Sequence, residues 1–166
     1  MTLNFLKFNS EKTELLIQNY CNALLIGLPK QLIAKLQCVQ NCAARLVTKT
    51  KKDSHIYPVL EKLHWLKVAD RITYKVLLLS FKARSGLASV YLQELFKECK
   101  PARYLRSMGQ GMLCVPHART TTYGDRSFAR AAPRHWNDLP LKLRLINNLA
   151  TIKTNLKTHL FSKTYT

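Results

Sequence analysis

At 166 residues, with 47% hydrophobic and 22% charged side chains, the chain is long and apolar enough to bury a core, which excludes a disordered tail. Its 27 Lys and Arg oppose only 9 Asp and Glu, a net charge of +18, which disfavours cationic partners and favours nucleic acid or an acidic membrane surface. The excess is distributed: residues 1–98 hold 15 basic and 7 acidic groups, and residues 99–166 hold 12 and 2.

Residues 1–10 carry no periodic signal, and residues 1–14 read as a loose lead-in to the domain. A first helix is predicted over residues 11–26, with Leu16, Tyr20, Ala23 and Leu24 on one side and Gly27-Leu28-Pro29 ending it. A second is predicted over residues 30–47. Its stripe of Leu32, Leu36, Val39, Ala43, Leu46 and Val47 is expected to face inward, opposite Gln31, Lys35, Cys38 and Arg45. A short turn joins the two, so they are expected to form an antiparallel hairpin. After a basic loop containing Lys49, Lys51 and Lys52, Asp53 or Ser54 is expected to cap a short helix over residues 55–63.

The central element is a helix over residues 68–84. Val68, Ile72, Val76, Leu79 and Ala83 form one apolar sector, and Tyr74, Leu77, Leu78 and Phe81 form a second. Two apolar sectors require neighbours on both sides, for which the second helix and the next one along are the candidates. Between them runs a seam of Arg71, Lys75 and Lys82, with Gly86 as the stop. An amphipathic helix over residues 88–98 is expected to turn Tyr91, Leu92, Leu95 and Phe96 inward. Residues 99–123 change character, and Gly109, Gly111 and Pro116 with the β-branched Thr120, Thr121 and Thr122 predict two short strands or extended segments. Gly124-Asp125 predicts a turn and N-cap for a helix over residues 126–132, with Pro133 opening another turn through Trp136. Residues 139–143 read as a short turn, and Leu149, Ile152, Leu156 and Leu160 mark a last helix. Together these predict a mainly α fold: a helical hairpin packed on the central helix, a small β-containing or irregular insert, and C-terminal helices. The organisation is one mostly helical domain over residues 15–163, divided into a helical part (15–98), the insert (99–123) and C-terminal helices (124–163).

Five cysteines at irregular spacing (Cys21, Cys38, Cys42, Cys99, Cys114) read as free thiols in a reducing, intracellular compartment. The longest uncharged stretch is interrupted by Gln18, Asn19 and Asn22 and is too short and polar to span a bilayer, so no membrane span is expected. Nor do the motifs of catalysis occur. The four aspartates and five glutamates include no adjacent pair to hold two metals, and no phosphate loop, nucleophile elbow or His-Glu-x-x-His pair is present. Cys114-x-x-His117 and Cys38-x-x-x-Cys42 each stand alone, whereas a structural zinc takes four ligands in paired groups. Neither enzyme activity, metal nor cofactor is expected.

Binding chemistry is the better match. Arg126, Arg130 and Arg134 recur at i, i+4 and i+8, a spacing at which like charges repel, and arginine's planar fork suits bidentate phosphate contacts. Arg71, Lys75 and Lys82 form a second basic row, which reads equally as a solvated helix face. Lys153, Lys157 and Lys163 extend the footprint or serve solubility. Trp65 and Trp136, each beside apolar residues, are expected to fill the core rather than stack on bases, and His64 and His135 to be hydrogen-bonded structural residues.

Several ordered blocks carry a family resemblance. They are Tyr20-Cys21-Asn22-Ala23-Leu24-Leu25-x-Gly27-Leu28-Pro29, Leu36-Gln37-x-Val39-Gln40-Asn41-x-Ala43-Ala44-Arg45-Leu46-Val47, His55-Ile56-x-Pro58-Val59-Leu60, Leu63-His64-Trp65-Leu66-x-Val68, Arg71-Ile72-x-x-Lys75, and Tyr123-Gly124-Asp125-Arg126-Ser127-Phe128-x-x-Ala131-Ala132-Pro133-Arg134-x-Trp136-Asn137-x-Leu139-Pro140. In this order they resemble the region downstream of the polymerase core in LINE-type (non-LTR) retrotransposon reverse transcriptases, over roughly residues 15–163. Ser89-Val90 departs from the Ala-Pro often found there. The resemblance implies a helical thumb-like and C-terminal segment that grips template and primer beside the polymerase. The family's Phe/Tyr-Ala-Asp-Asp motif and endonuclease have no counterpart here, so the chain resembles a severed, non-catalytic tail. The expected function is sequence-tolerant binding of RNA or DNA backbone, with a reverse transcriptase core in trans as a further partner. The alternatives are a non-functional or structural fragment whose apolar patch docked on that core, and association with a membrane surface through the basic helices.

Overall fold

In the computed structural model of the protein, residues 22–97, 110–117, 120 and 124–165 are described. They are mainly α-helical, as the periodicity predicts. A 3-10 turn (Asn22–Leu25) precedes α1 (Lys30–Thr48), α2 (Ile56–Lys62), α3 (Val68–Arg84), α4 (Val90–Glu94), α5 (Phe128–Asn137), α6 (Leu141–Arg144) and α7 (Leu149–Tyr165). The lead-in, residues 11–21 of the expected first helix, and most of the insert, including Thr121, Thr122 and Gly109, lie outside the described residues.

Helix α3 organises the rest. It packs against α5, α7 and the 3-10 turn, and also meets α1 and α4. Both of its sectors are used: Ile72, Val76 and Ala83 are buried from one, and Leu77, Leu78 and Phe81 from the other. Its end is fixed by glycine. Gly86 takes φ +70°, a left-handed conformation that costs an L side chain energy, and there the Leu87 N–H reaches Lys82 O (2.8 Å) and the Gly86 N–H Ala83 O (3.4 Å). The same reversal ends α2 at His64 and α1 at Lys49, at φ 53° and 52°, without glycine.

Two buried clusters result. Leu77, Phe81, Leu113, Trp136, Leu139, Leu143, Ile152 and Leu156 form the first, where α3, α5, α6 and α7 meet. Ala44, Leu60 and Trp65 form the second, closed by Ile56, Val59 and Tyr165 at the far end of α7. Both tryptophans are therefore core residues, as their apolar neighbours predict. Trp136 donates its indole N–H to Gly111 O at 2.8 Å, which removes the penalty of burying that group. Helix α7 is capped by Asn148, whose Oδ1 accepts the backbone N–H groups of Ala150 (2.8 Å) and Thr151 (3.3 Å).

The structure corrects several local expectations. The described part of the first predicted helix is a single 3-10 turn, closed by Gly27 at φ +73°. Helix α1 occupies the predicted span but is turned differently about its axis. Leu32, Leu36, Val39 and Leu46 are 44%, 39%, 69% and 80% exposed, while Gln40 and Ala44 are buried. The reason lies at the start of α3, whose first N–H groups have no helical acceptor. Gln37 Oε1 accepts the Val68 N–H at 2.9 Å, and Gln40 donates to Leu66 O at 2.8 Å, so the amide face of α1 turns inward.

Neither Asp53 nor Ser54 caps α2; its N-cap is His55, with no side-chain cap bond. Helix α4 is only five residues, and Tyr91 is exposed rather than inward. Ser127, not Asp125, is the N-cap of α5, and Pro133 lies inside that helix instead of ending it. Proline supplies no N–H to Ala129 O, but the ring is buried with Ala131, Ala132 and Trp136, and its fixed φ is already helical. Within the insert, Leu113 holds an isolated bridge position and the Cys114 N–H donates to Lys97 O at 2.8 Å; no strand occurs among the described residues.

Candidate nucleic-acid interface

The arginine row spans a turn and a helix. Arg126 is exposed in the turn before α5, and its stem lies against the backbone of Gly27, where an added Cβ would stand 2.5 Å from Arg126 Cγ. That approach requires glycine and ties the row to the turn before α1. Arg130 and Arg134 follow on α5 and share one carboxylate oxygen: Asp125 Oδ1 is 2.9 Å from Arg130 Nη1 and 3.5 Å from Arg134 Nη2. Two guanidiniums on one carboxylate oxygen, with the exposed Arg126 next to it in sequence, leave a local excess of positive charge. Asp125 thus holds two of the forks near each other without neutralising the row. Partly exposed pairs of this kind add at most about 1 kcal/mol to stability, so their arrangement matters more than their strength.

The second row divides. Lys75 and Lys82 are half-buried on α3, but Arg71 is 4% exposed. Arg71 donates through Nε to Leu66 O at 2.8 Å, and its guanidinium lies 5.5 Å from the centre of the Trp65 ring. It is part of the packing that joins α1, α2 and α3, and a phosphate in solvent does not reach it there. Arg84 is likewise structural. It donates to Arg144 O at 2.9 Å and lies over the Trp136 ring at 6.0 Å, a role that its place in the last turn of α3 did not reveal.

A second surface, absent from the sequence-derived candidates, lies between α3 and α7. His64, Tyr74, Lys153, Lys157 and Phe161, together with Thr154, Thr158 and Ser162, line a groove of about 450 Å³. The His64 and Phe161 rings are 5.6 Å apart, and Phe161 meets Tyr165 at 4.6 Å. His64 Nδ1 is 2.9 Å from Glu61 O, a carbonyl that can only accept, so Nδ1 carries a hydrogen and Nε2 is left for an external partner. Burial raises the Tyr74 hydroxyl above its usual pKa. Burial, with Asp70 and Glu61 nearby, pushes Tyr165 up to about 12, consistent with its 2.7 Å bond to Trp65 O. Burial lowers the His135 pKa, opposed by the nearby Asp138.

Among the described residues no three His, Cys, Asp or Glu side chains converge as a metal site, and Cys38, Cys42 and Cys114 form no disulfide. Cys21 and Cys99 lie outside the described residues. No helix among the described residues is long and apolar enough to cross a membrane. No family model, curated protein or solved structure matches the chain.

Proposed function

We propose that the protein binds RNA or DNA through the phosphate backbone with little sequence preference, without catalysing a reaction, and that Arg126, Arg130 and Arg134 are its principal contacts. The observation that carries this reading is that Arg130 and Arg134 share one Asp125 oxygen beside the exposed Arg126, in a chain of net charge +18. Phosphate oxygens can pair with the remaining guanidinium donors, and distributed Lys and Arg contacts give affinity without reading bases. Lys75 and Lys82 extend the footprint; Arg71 supports the fold. This agrees with the resemblance to the tail of LINE-type reverse transcriptases.

Retention of duplex DNA or structured RNA at about 50 mM salt, falling steeply as salt rises, is the expected result. Replacing the three arginines by glutamine should lower the slope of log affinity against log salt by about 0.9 for each duplex phosphate that is no longer neutralised. No retention at low salt, or a slope unchanged in the triple variant, overturns the proposal.

One observation favours a second reading. The exposed apolar stripe of α1 suits a protein surface, which would make the chain a structural piece that docks on a larger body such as a polymerase core. Self-association without nucleic-acid affinity is its signature.

A further inference from the structure

We infer that the groove between α3 and α7 holds one unpaired nucleotide, its base against Phe161 and His64 and its phosphate on Lys153 and Lys157. The inference rests on the nucleic-acid reading for its ligand class and adds a second, single-strand-selective surface built from different residues.

Four features point to that ligand. The groove, at about 450 Å³, falls in the range of small-ligand sites, roughly 300 to 1,000 Å³. Among the described residues its lining combines aromatic rings with two lysines and contains no carboxylate, so an anion is favoured and an ammonium is not. Lys153 and Lys157 are one turn apart on α7, which puts both on one edge of the groove, with Phe161 a further turn along the same face. Finally, the fixed ring of His64 presents Nε2 as a hydrogen-bond partner for a base edge.

A free phosphate would need the lysines but not the aromatic wall. A base carrying a phosphate uses both. Duplex DNA keeps its bases stacked and offers none to such a groove, whereas a single strand does. The Asp70 carboxylate accepts the Thr164 hydroxyl at 2.9 Å, beside Tyr165 at the end of α7, so a strand is expected to run away from that end.

The test compares a ten-nucleotide oligo(dT), an abasic strand of equal length and a blunt duplex, with free adenosine monophosphate as a fourth probe. The base-bearing strand should bind about tenfold more tightly than the abasic one, the effect of one stacked base. Phe161→Leu keeps the apolar volume but removes the ring, and should abolish that preference while leaving duplex binding unchanged. His64→Ala should reduce it in part. Equal affinity for base-bearing and abasic strands, or an unaltered preference in Phe161→Leu, overturns the inference while leaving backbone binding by the arginine row intact. Saturable binding of adenosine monophosphate, lost in Phe161→Leu, with no affinity for any strand supports the groove as a nucleotide site and overturns the backbone-binding proposal instead.

Discussion

Helices α1 and α7 carry apolar stripes of the same kind and use them differently. In α7 the residues Ile152, Leu156 and Leu160 recur at four-residue steps and all three are buried. In α1 the residues Leu32, Leu36, Val39, Ala43 and Leu46 recur at steps of four and three, the spacing of a coiled-coil seam, yet all four large side chains are exposed. Periodicity states which residues share a face. Whether that face meets anything depends on the elements available to cover it: α7 has α3 beside it, while in α1 only Ala43 and Val47 reach the second cluster and Leu32, Leu36, Val39 and Leu46 stay exposed. The adjoining face of α1, about 100° round the helix, is held inward by amide hydrogen bonds to the start of α3.

The largest expected effect belongs to the covered side. Trp136 is fully buried where α3, α5 and α7 meet, and replacing it by alanine removes its packing and its bond to Gly111. A loss of about 3 to 5 kcal/mol is expected, a large part of the roughly 5 to 15 kcal/mol that stabilises a typical domain. Denaturant unfolding followed by circular dichroism measures it. A loss under about 1 kcal/mol would show that this cluster is not the centre of stability.

Asn137 should come next. Its side chain clamps the buried Leu113 backbone: Oδ1 accepts the Leu113 N–H at 2.9 Å and Nδ2 donates to Leu113 O at 2.8 Å. Alanine here leaves both groups unsatisfied, for an expected cost of about 2 kcal/mol. Asn137→Asp retains the acceptor but loses the donor and should fall between wild type and alanine. Equal stability of all three chains would mean that water replaces the clamp at no cost.

These two residues also show what could be read from the sequence. Trp136 lies between apolar neighbours, so its burial was legible; Asn137 gives no local sign that its amide will pair with a backbone 24 positions away. Helix α3 was legible throughout because two apolar sectors within 17 residues leave little choice of arrangement. The arginine row was legible as a spacing, but its anchoring over Gly27 and the sharing of Asp125 depend on contacts across the fold. Arg71 reads as part of a basic seam because charge alone does not reveal that Leu66 O and the Trp65 ring receive it. The groove at Phe161 escaped for the same reason: His64 and Phe161 are distant in sequence, and only the packing of α7 beside the end of α2 brings them together.

The smallest expected change in stability is on the uncovered side. Val39→Ser together with Leu46→Ser replaces the two most exposed members of the α1 stripe, and for exposed positions without special contacts each substitution should shift stability by no more than about 0.5 kcal/mol. The double variant should nevertheless lower self-association at high concentration in a sedimentation experiment, because exposed apolar patches drive such contacts. A stability loss near that of Trp136→Ala would break the contrast between the helices, since only a covered stripe can cost that much. Unchanged stability with weaker self-association would sharpen it: α1 would then be a helix with one face committed to the fold by Gln37, Gln40 and Ala44 and the other available to a partner.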